Sequence, residues 1–264
     1  MTRENDEARF AGKVVLITGA VGGLGRKIAS DFAEEGASLL MSDRDGGALE
    51  ALAGELQSMG AAVAISVGDV TREATAEAMV ATALATFGRL DIAVNNAGIA
   101  SSFTRLADTG PEEAERILAV NVLGVIHAMR HELRVMSEAF SHTGQHSAIV
   151  NMASVAGLVG APNLAVYAAS KHAVIGLTRS SALEYARRGI RINAVCPSFV
   201  RTPMLAAITA GQAHPDTEGL AQGVPMRRLA EPDEISIAVR FAADPRNSFM
   251  TGQALGIDGG LTAM

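Results

Sequence analysis

Tryptophan is absent from this 264-residue chain, and aromatic residues make up only 4% of it. That scarcity argues against a nucleic-acid or carbohydrate surface built on exposed rings and suits close packing of helices on a sheet. Basic charge is also in short supply. With 22 Lys and Arg against 28 Asp and Glu, the net charge of −6 leaves no basic patch dense enough to displace counterions from a phosphate backbone. Cys196 is the only cysteine, which excludes an intrachain disulfide and a secretory disulfide framework. Its neighbours Asn193, Ala194 and Val195 read as strand interior, so the thiol is expected as a small buried hydrophobe. No apolar run reaches the roughly eighteen residues of a membrane span. Residues 1–9 are polar and of mixed charge, expected as a flexible tail without the apolar stretch of a signal peptide. The expectation is a soluble, cytoplasmic protein with no nucleic-acid or membrane partner.

Hydrophobic residues supply 48% of the chain and the mean hydropathy is +0.23, values of a globular rather than a disordered protein. Continuous apolar runs alternate with helical patterns from near the N-terminus, the signature of a parallel sheet covered on both faces. Strands are expected at 14–17, 38–42, 61–67, 90–94, 148–152, 190–195 and 254–257. Between them come a helix whose Leu24, Ile28 and Phe32 share a face before Gly36, one over 48–59, and one capped by Thr71 or a neighbour and stopping near Gly88. A long helix follows Pro111, with a broad apolar face through Ile117, Val120, Leu123 and Gly124, and another spans 167–187. Residues 198–228, rich in Pro, Gly and small side chains, are expected as the mobile segment. Nothing reads as a linker or a repeat, so one domain is expected over 1–264.

Tyr167 and Lys171 stand four apart on a helical stretch, so both lie on one face. A phenol titrates near pH ~10, too high for a base at neutral pH, and a neighbouring cation favours the phenolate. By itself the pair is more often a half-buried tyrosine beside a solvated lysine. The run Thr18-Gly19-Ala20-Val21-Gly22-Gly23-Leu24-Gly25 sits where a first strand hands over to a first helix. Glycines there let backbone amides and the helix N-terminus approach a pyrophosphate.

Gly19, Gly23 and Gly25 have the TGxxxGxG spacing, not GxGxxG. The chain also carries Asn95-Asn96-Ala97-Gly98 after the fourth strand, Asn121, Ser154, Tyr167 and Lys171 as YxxxK, and Pro197 after the sixth strand. In order and spacing these resemble the short-chain dehydrogenase/reductase family over essentially the whole chain. The resemblance implies an α/β fold, a single Rossmann-like doubly wound parallel sheet of about seven strands with helices on both faces. It implies a hydride transfer between NAD(H) and a secondary alcohol or ketone. Tyr167 would be the acid/base, Lys171 would lower its pKa and hold the nicotinamide ribose, Ser154 would bond the substrate oxygen, and Asn121 would fix a water linking Lys171 to solvent. Gly22 and Leu24 would join the motif glycines at the cofactor, as would Asn96, Ala97 and Gly98, and Pro197, Val200 and Thr202 would meet the nicotinamide end. Asp69 and Val70 resemble the family's adenine-contacting pair.

Asp43 ends the second strand, where a carboxylate accepts from ribose hydroxyls and repels a 2′-phosphate, favouring NAD over NADP. Arg44 follows at once and is a possible partner for a 2′-phosphate, while Gly22 stands where some NADP-dependent relatives place a basic residue. Ser198 departs from the family, which mostly has Gly after the proline; a positive φ there would strain it. No metal is expected: His127 and His131 lie one turn apart, but no third ligand joins them. Two alternatives remain, an NADP-dependent 3-oxoacyl-[carrier protein] reductase and a non-catalytic dinucleotide sensor. The expected substrate is neutral and apolar or alicyclic, walled by 154–163, 99–103 and 204–226. Apolar faces on the long helices and at the C-terminus, with the family resemblance, point to a homotetramer.

Overall fold

Val14, Val15, Leu16 and Ile17 are all buried, as the unbroken apolar run requires of a strand covered on both faces, and they form β1 (Val14–Thr18). Val15 and Ile17 face one side of the sheet, Val14 and Leu16 the other. β1 pairs in parallel with β2 (Ser38–Asp43) on one side and β4 (Ile92–Asn95) on the other. β3 (Val63–Val67), β5 (Ser147–Met152), β6 (Ile190–Pro197) and β7 (Ala254–Ile257) complete a seven-stranded sheet of order β3-β2-β1-β4-β5-β6-β7. Every pairing is parallel, so the doubly wound Rossmann-like sheet is as expected. The computed structural model describes residues 9–210 and 217–264; the expected tail therefore falls, apart from Arg9, outside the described residues, as do residues 211–216 of the expected mobile segment.

On the Val15 face lie α1 (Gly23–Glu34), α2 (Gly46–Ser58) and α9 (Pro232–Ala243), through Ile28, Phe32, Leu52 and Val239. Phe32 meets Phe10 edge-on with ring centroids 4.7 Å apart. On the other face lie α3 (Glu73–Phe87), α5 (Gly124–Thr143) and α6 (Ala165–Tyr185), through Met79, Met129, Met136 and Val174. Cys196 is a buried free thiol in β6. Among the described residues no helix is long and apolar enough to cross a membrane.

Three features differ from the sequence expectation. The helix after Pro111 is not continuous: α4 (Pro111–Leu118) passes into a π-helical turn, Ala119–Leu123, before α5. That extra residue rotates the apolar face, which leaves Leu123 exposed while Gly124 packs on Val70. The cap of α3 is Arg72, the neighbour of Thr71 and so within the expectation; it offers no side-chain acceptor, and the Thr71 amide donates to Asp69 Oδ1 at 2.9 Å. Residues 198–228 contain two short helices, α7 (Pro203–Ala210) and α8 (Thr217–Gln222). α9 has no counterpart in the sequence reading, although Glu231 and Glu234 form a reciprocal capping box with proline in the first turn.

One polar chain crosses the interior. Asn95 Nδ2 donates to Glu132 Oε2 at 3.1 Å and to Asn151 Oδ1 at 3.0 Å, and Asn151 Nδ2 donates to Thr178 Oγ1 at 2.9 Å. Glu132 is fully buried, and burial pushes its carboxyl up to about 7 against the Asn95 bond. The folded chain therefore keeps a proton that the unfolded chain releases above the ordinary glutamate value of 4.5. The stabilisation is complete below that value and is lost as pH rises through about 7. The denaturation midpoint of the native protein is expected to fall between pH 5 and pH 7 with a component that Glu132→Gln removes. A Glu132→Gln protein with the same decline would show that another group carries it.

Candidate active site

β1 and β4 are neighbours in the sheet, yet their onward helices α1 and α5 cover opposite faces, so a crevice opens at their carboxyl ends. Asn96 stitches that crevice. Its Nδ2 donates to the carbonyls of Thr18 and Gly19, each at 3.0 Å, while Thr18 Oγ1 accepts the amides of Asn96 at 3.1 Å and Ala97 at 3.0 Å. Gly19 has φ +64°, and a Cβ there would lie 2.8 Å from Ala97 Cα. A Cβ on Gly25 would collide with the Gly19 carbonyl oxygen, and one on Gly23 would sit 2.9 Å from Pro203 Cδ. These three glycines are thus demanded by the chain's own close packing, besides leaving room for a pyrophosphate. Gly22 caps α1 without a side chain and no acid occupies the first turn, which leaves the helix-start amides for an anion.

From the α1 N-terminus the crevice runs to Asp43 at the end of β2. Asp43 Oδ2 accepts the Val21 amide at 3.2 Å, and Oδ1 accepts the Arg44 amide at 2.8 Å, so the carboxylate faces the glycine turn. Arg44 is exposed beside it. Asp69 is held below the usual carboxylate range, first by the Thr71 amide, with Arg44 adding a weaker pull.

The other end gathers Ser154, Tyr167 and Lys171. β5 delivers Ser154, whose Oγ accepts the Ala156 amide at 3.2 Å and donates to the Pro197 carbonyl at 3.4 Å. Tyr167 and Lys171 stand on the first two turns of α6, with Nζ 5.7 Å from the phenol ring centroid. Lys171 Nζ donates to the Met152 carbonyl at 2.9 Å, and burial pulls its pKa down to about 8. Burial also pushes the Tyr167 phenol upward, opposed by a hydrogen bond with Ser154. Desolvation is thus the largest influence on the phenol, while the Lys171 ammonium is held by the Met152 carbonyl. Asn121 sits in the π-helical turn, fully buried. Its Oδ1 accepts the Ile99 amide at 2.9 Å, and its Nδ2 donates to the Ile99 carbonyl at 2.8 Å and to Ser170 Oγ at 3.1 Å. The side chain is thus a brace between the 99 loop and α6.

These positions enclose one cavity of about 1050 Å³, at the upper end of small-molecule sites. Every residue that the sequence named for the cofactor lines it, from Gly19 through Asp43, Val70 and Gly98 to Pro197, Val200 and Thr202; Asn121 lies behind its wall. Ser198 also lines it without strain, since the positive-φ residues other than glycine among the described residues are Asn163 and Arg227. Thr202 Oγ1 is occupied as the start of α7, accepting the Leu205 amide at 3.4 Å. Arg116 and Leu261 line the cavity too and were not foreseen. Nothing in the sequence marks which face of α4 turns inward, and Leu261 reaches the site only because the chain folds back after β7. Among the described residues no group of three or more His, Cys, Asp or Glu gathers to hold a metal ion. His127 Nδ1 instead lies 3.4 Å from the Val70 carbonyl, and His131 lies 3.5 Å from Glu73. An anion-binding helix start, a carboxylate at one end and a hydroxyl, phenol and ammonium at the other fit a nicotinamide dinucleotide.

A family model described as enoyl-(acyl carrier protein) reductase matches residues 19–262. A cyclohexanol dehydrogenase of an Acinetobacter species is 35% identical, the match covering 97% of each chain. The solved structure of levodione reductase superposes with a TM-score of 0.91 at 37% identity, over 96% of this chain and 99% of that one. A 3-ketoacyl-(acyl-carrier-protein) reductase from Brucella melitensis, solved in complex with NADH, gives a TM-score of 0.88 at 38% identity with the same coverage. With sequence, fold and cleft in agreement along nearly its full length, this chain belongs to the short-chain dehydrogenase/reductase family of oxidoreductases.

Proposed function

We propose that this chain interconverts a secondary alcohol and its ketone with NAD(H), using Tyr167 as the acid/base. The convergence of Ser154, Tyr167 and Lys171 on one end of the cavity carries the reading. When bound, the dinucleotide supplies or accepts the hydride at the substrate carbon. Asp43 holds its adenosine ribose, the α1 amides its pyrophosphate, Asp69 and Val70 its adenine, and Lys171 its nicotinamide ribose. In reduction the Tyr167 hydroxyl donates its proton to the carbonyl oxygen; in oxidation the phenolate takes it back from the alcohol. Ser154 bonds that same oxygen while charge develops on it. The Lys171 ammonium favours the phenolate once Tyr167 ionises, and Asn121 positions Ser170 and the 99 loop around the pair.

Burial keeps Tyr167 protonated at neutral pH, which suits reduction there and makes oxidation climb as pH rises. Val155, Ala161, Pro162, Leu164 and Phe103 line the cavity together with Ser154, which favours a neutral, apolar or alicyclic alcohol. The cyclohexanol dehydrogenase relative supports that class. NAD is favoured because the Asp43 carboxylate faces the glycine turn and Gly22 brings no cation. The 3-ketoacyl reductase likeness supports a second reading, reduction of a 3-oxoacyl thioester. The reading extends to a single-domain, cytoplasmic homotetramer. Exposed Leu183 on α6, Ile237 and Phe241 on α9, and Phe249 support self-association.

Nicotinamide absorbance, followed with NAD and NADP separately over a panel of secondary alcohols and one 3-oxoacyl thioester, tests the substrate and cofactor. Turnover of alicyclic alcohols with NAD is expected, and equal or better turnover with NADP refutes the Asp43 argument. Tyr167→Phe is expected to lower turnover at least about 10²-fold while NADH binding, read by fluorescence, stays nearly unchanged. A Tyr167→Phe enzyme that keeps its activity refutes the assignment of the acid/base. In solution the mass of a tetramer is expected from light scattering, and a monomer contradicts the assembly.

A further inference from the structure

Asn163 has φ +64°, in the left-handed region that most side chains avoid and that asparagine enters more readily. Its side chain is exposed and makes no hydrogen bond among the described residues, so what the residue contributes is its backbone. That backbone aims the Asn163 carbonyl at the Thr104 amide, which donates to it at 2.8 Å. Thr104 directly follows Phe103, and Asn163 stands between Pro162 and Leu164; those three flanking residues all line the cavity. One main-chain bond thus joins the loop after β4 to the turn that enters the Tyr167 helix. The start of α6 does not depend on it, because the Ala168 amide donates to the Leu164 carbonyl at 2.8 Å.

We propose that Asn163 is a specificity-determining positioning residue. By holding a left-handed turn it fastens the Thr104 loop to the entrance of α6 and fixes the width of the substrate end. Compact alicyclic alcohols are then preferred over bulkier ones. This rests on the alcohol–ketone reading above. Glycine keeps the left-handed conformation at 163, whereas a β-branched residue abandons it and turns the carbonyl away.

The test compares wild type, Asn163→Gly and Asn163→Val. Hydrogen exchange read by mass spectrometry on the peptide carrying the Thr104 amide is expected to be slow in wild type and Asn163→Gly, and at least about tenfold faster in Asn163→Val. In NAD-linked oxidation, Asn163→Val is expected to raise KM for cyclohexanol roughly tenfold and to narrow its advantage over 4-tert-butylcyclohexanol. Its kcat and its KM for NAD are expected to stay near wild type, and Asn163→Gly to match wild type throughout. Should Asn163→Val fail to fold, Thr104→Pro removes the same bond from the donor side and is expected to give the same shift in KM. A fast-exchanging Thr104 amide in wild type, an unchanged KM ratio in the bond-breaking variant, or an equal shift in Asn163→Gly overturns the proposal. Wild-type protein inert toward both alcohols overturns the substrate reading and the preference built on it, while the exchange result still decides the clamp.

Discussion

Asn96 gives both its amide hydrogens to the carbonyls of Thr18 and Gly19, and the Thr18 hydroxyl accepts two amides from the end of β4. These four bonds cross the sheet where neighbouring strands send their helices to opposite faces. Without a stitch, two diverging chain segments would leave main-chain groups unpaired at the mouth of a buried sheet. With it, the glycine turn and the 96–98 loop become two fixed walls of one crevice. The rest is built outward from those walls: α1 aims its free amides along one, and Gly98 lies close to both Asn121 Oδ1 and Lys171 Nζ on the other.

Desolvation, rather than any single ion pair, dominates the electrostatics at the Tyr167 end of the cavity. Lys171 and Tyr167 are pushed in opposite directions by the same burial, the ammonium down to about 8 and the phenol up. Both shifts favour the uncharged forms, so each group lies nearer to its neutral state than in water. The Met152 carbonyl and the Ser154 hydroxyl hold the two side chains in place. Below this end runs the Asn95–Glu132–Asn151–Thr178 chain, which joins β4, β5, α5 and α6. It supports the strands that carry Asn96 and Met152 from behind.

Strands were legible because each is a short apolar run, and five of the seven begin within one residue of the expected position. Elements whose cause lies outside their own residues were not. α9 is amphipathic only relative to the α1 and sheet surface it covers, and its capping box of two glutamates lacks the Ser or Thr that usually announces one. The π-helical turn adds one residue to a helix without altering composition, so nothing in the sequence betrays it. The glycines of the turn were recognised, yet the atoms that forbid a Cβ at Gly23 and Gly25 belong to Pro203 and to Gly19 itself. Ser198 would be strained only at a positive φ, and its backbone has none because the segment leaves β6 without a left-handed step.

The sequence by itself determined the sheet, its winding and the family, because apolar periodicity and motif spacing are local properties that survive in any frame. It also named Asp43, Ser154, Tyr167 and Lys171 among the residues that line the cavity. Tertiary structure alone decided how those groups are engaged: which carbonyl holds Lys171, that Asn121 braces rather than lines the cleft, and that Arg116, Leu261 and the Thr104–Asn163 bond bound it. Those facts depend on segments distant in sequence meeting at fixed distances, and desolvation at a meeting point is a property of the whole enclosure rather than of any residue in it.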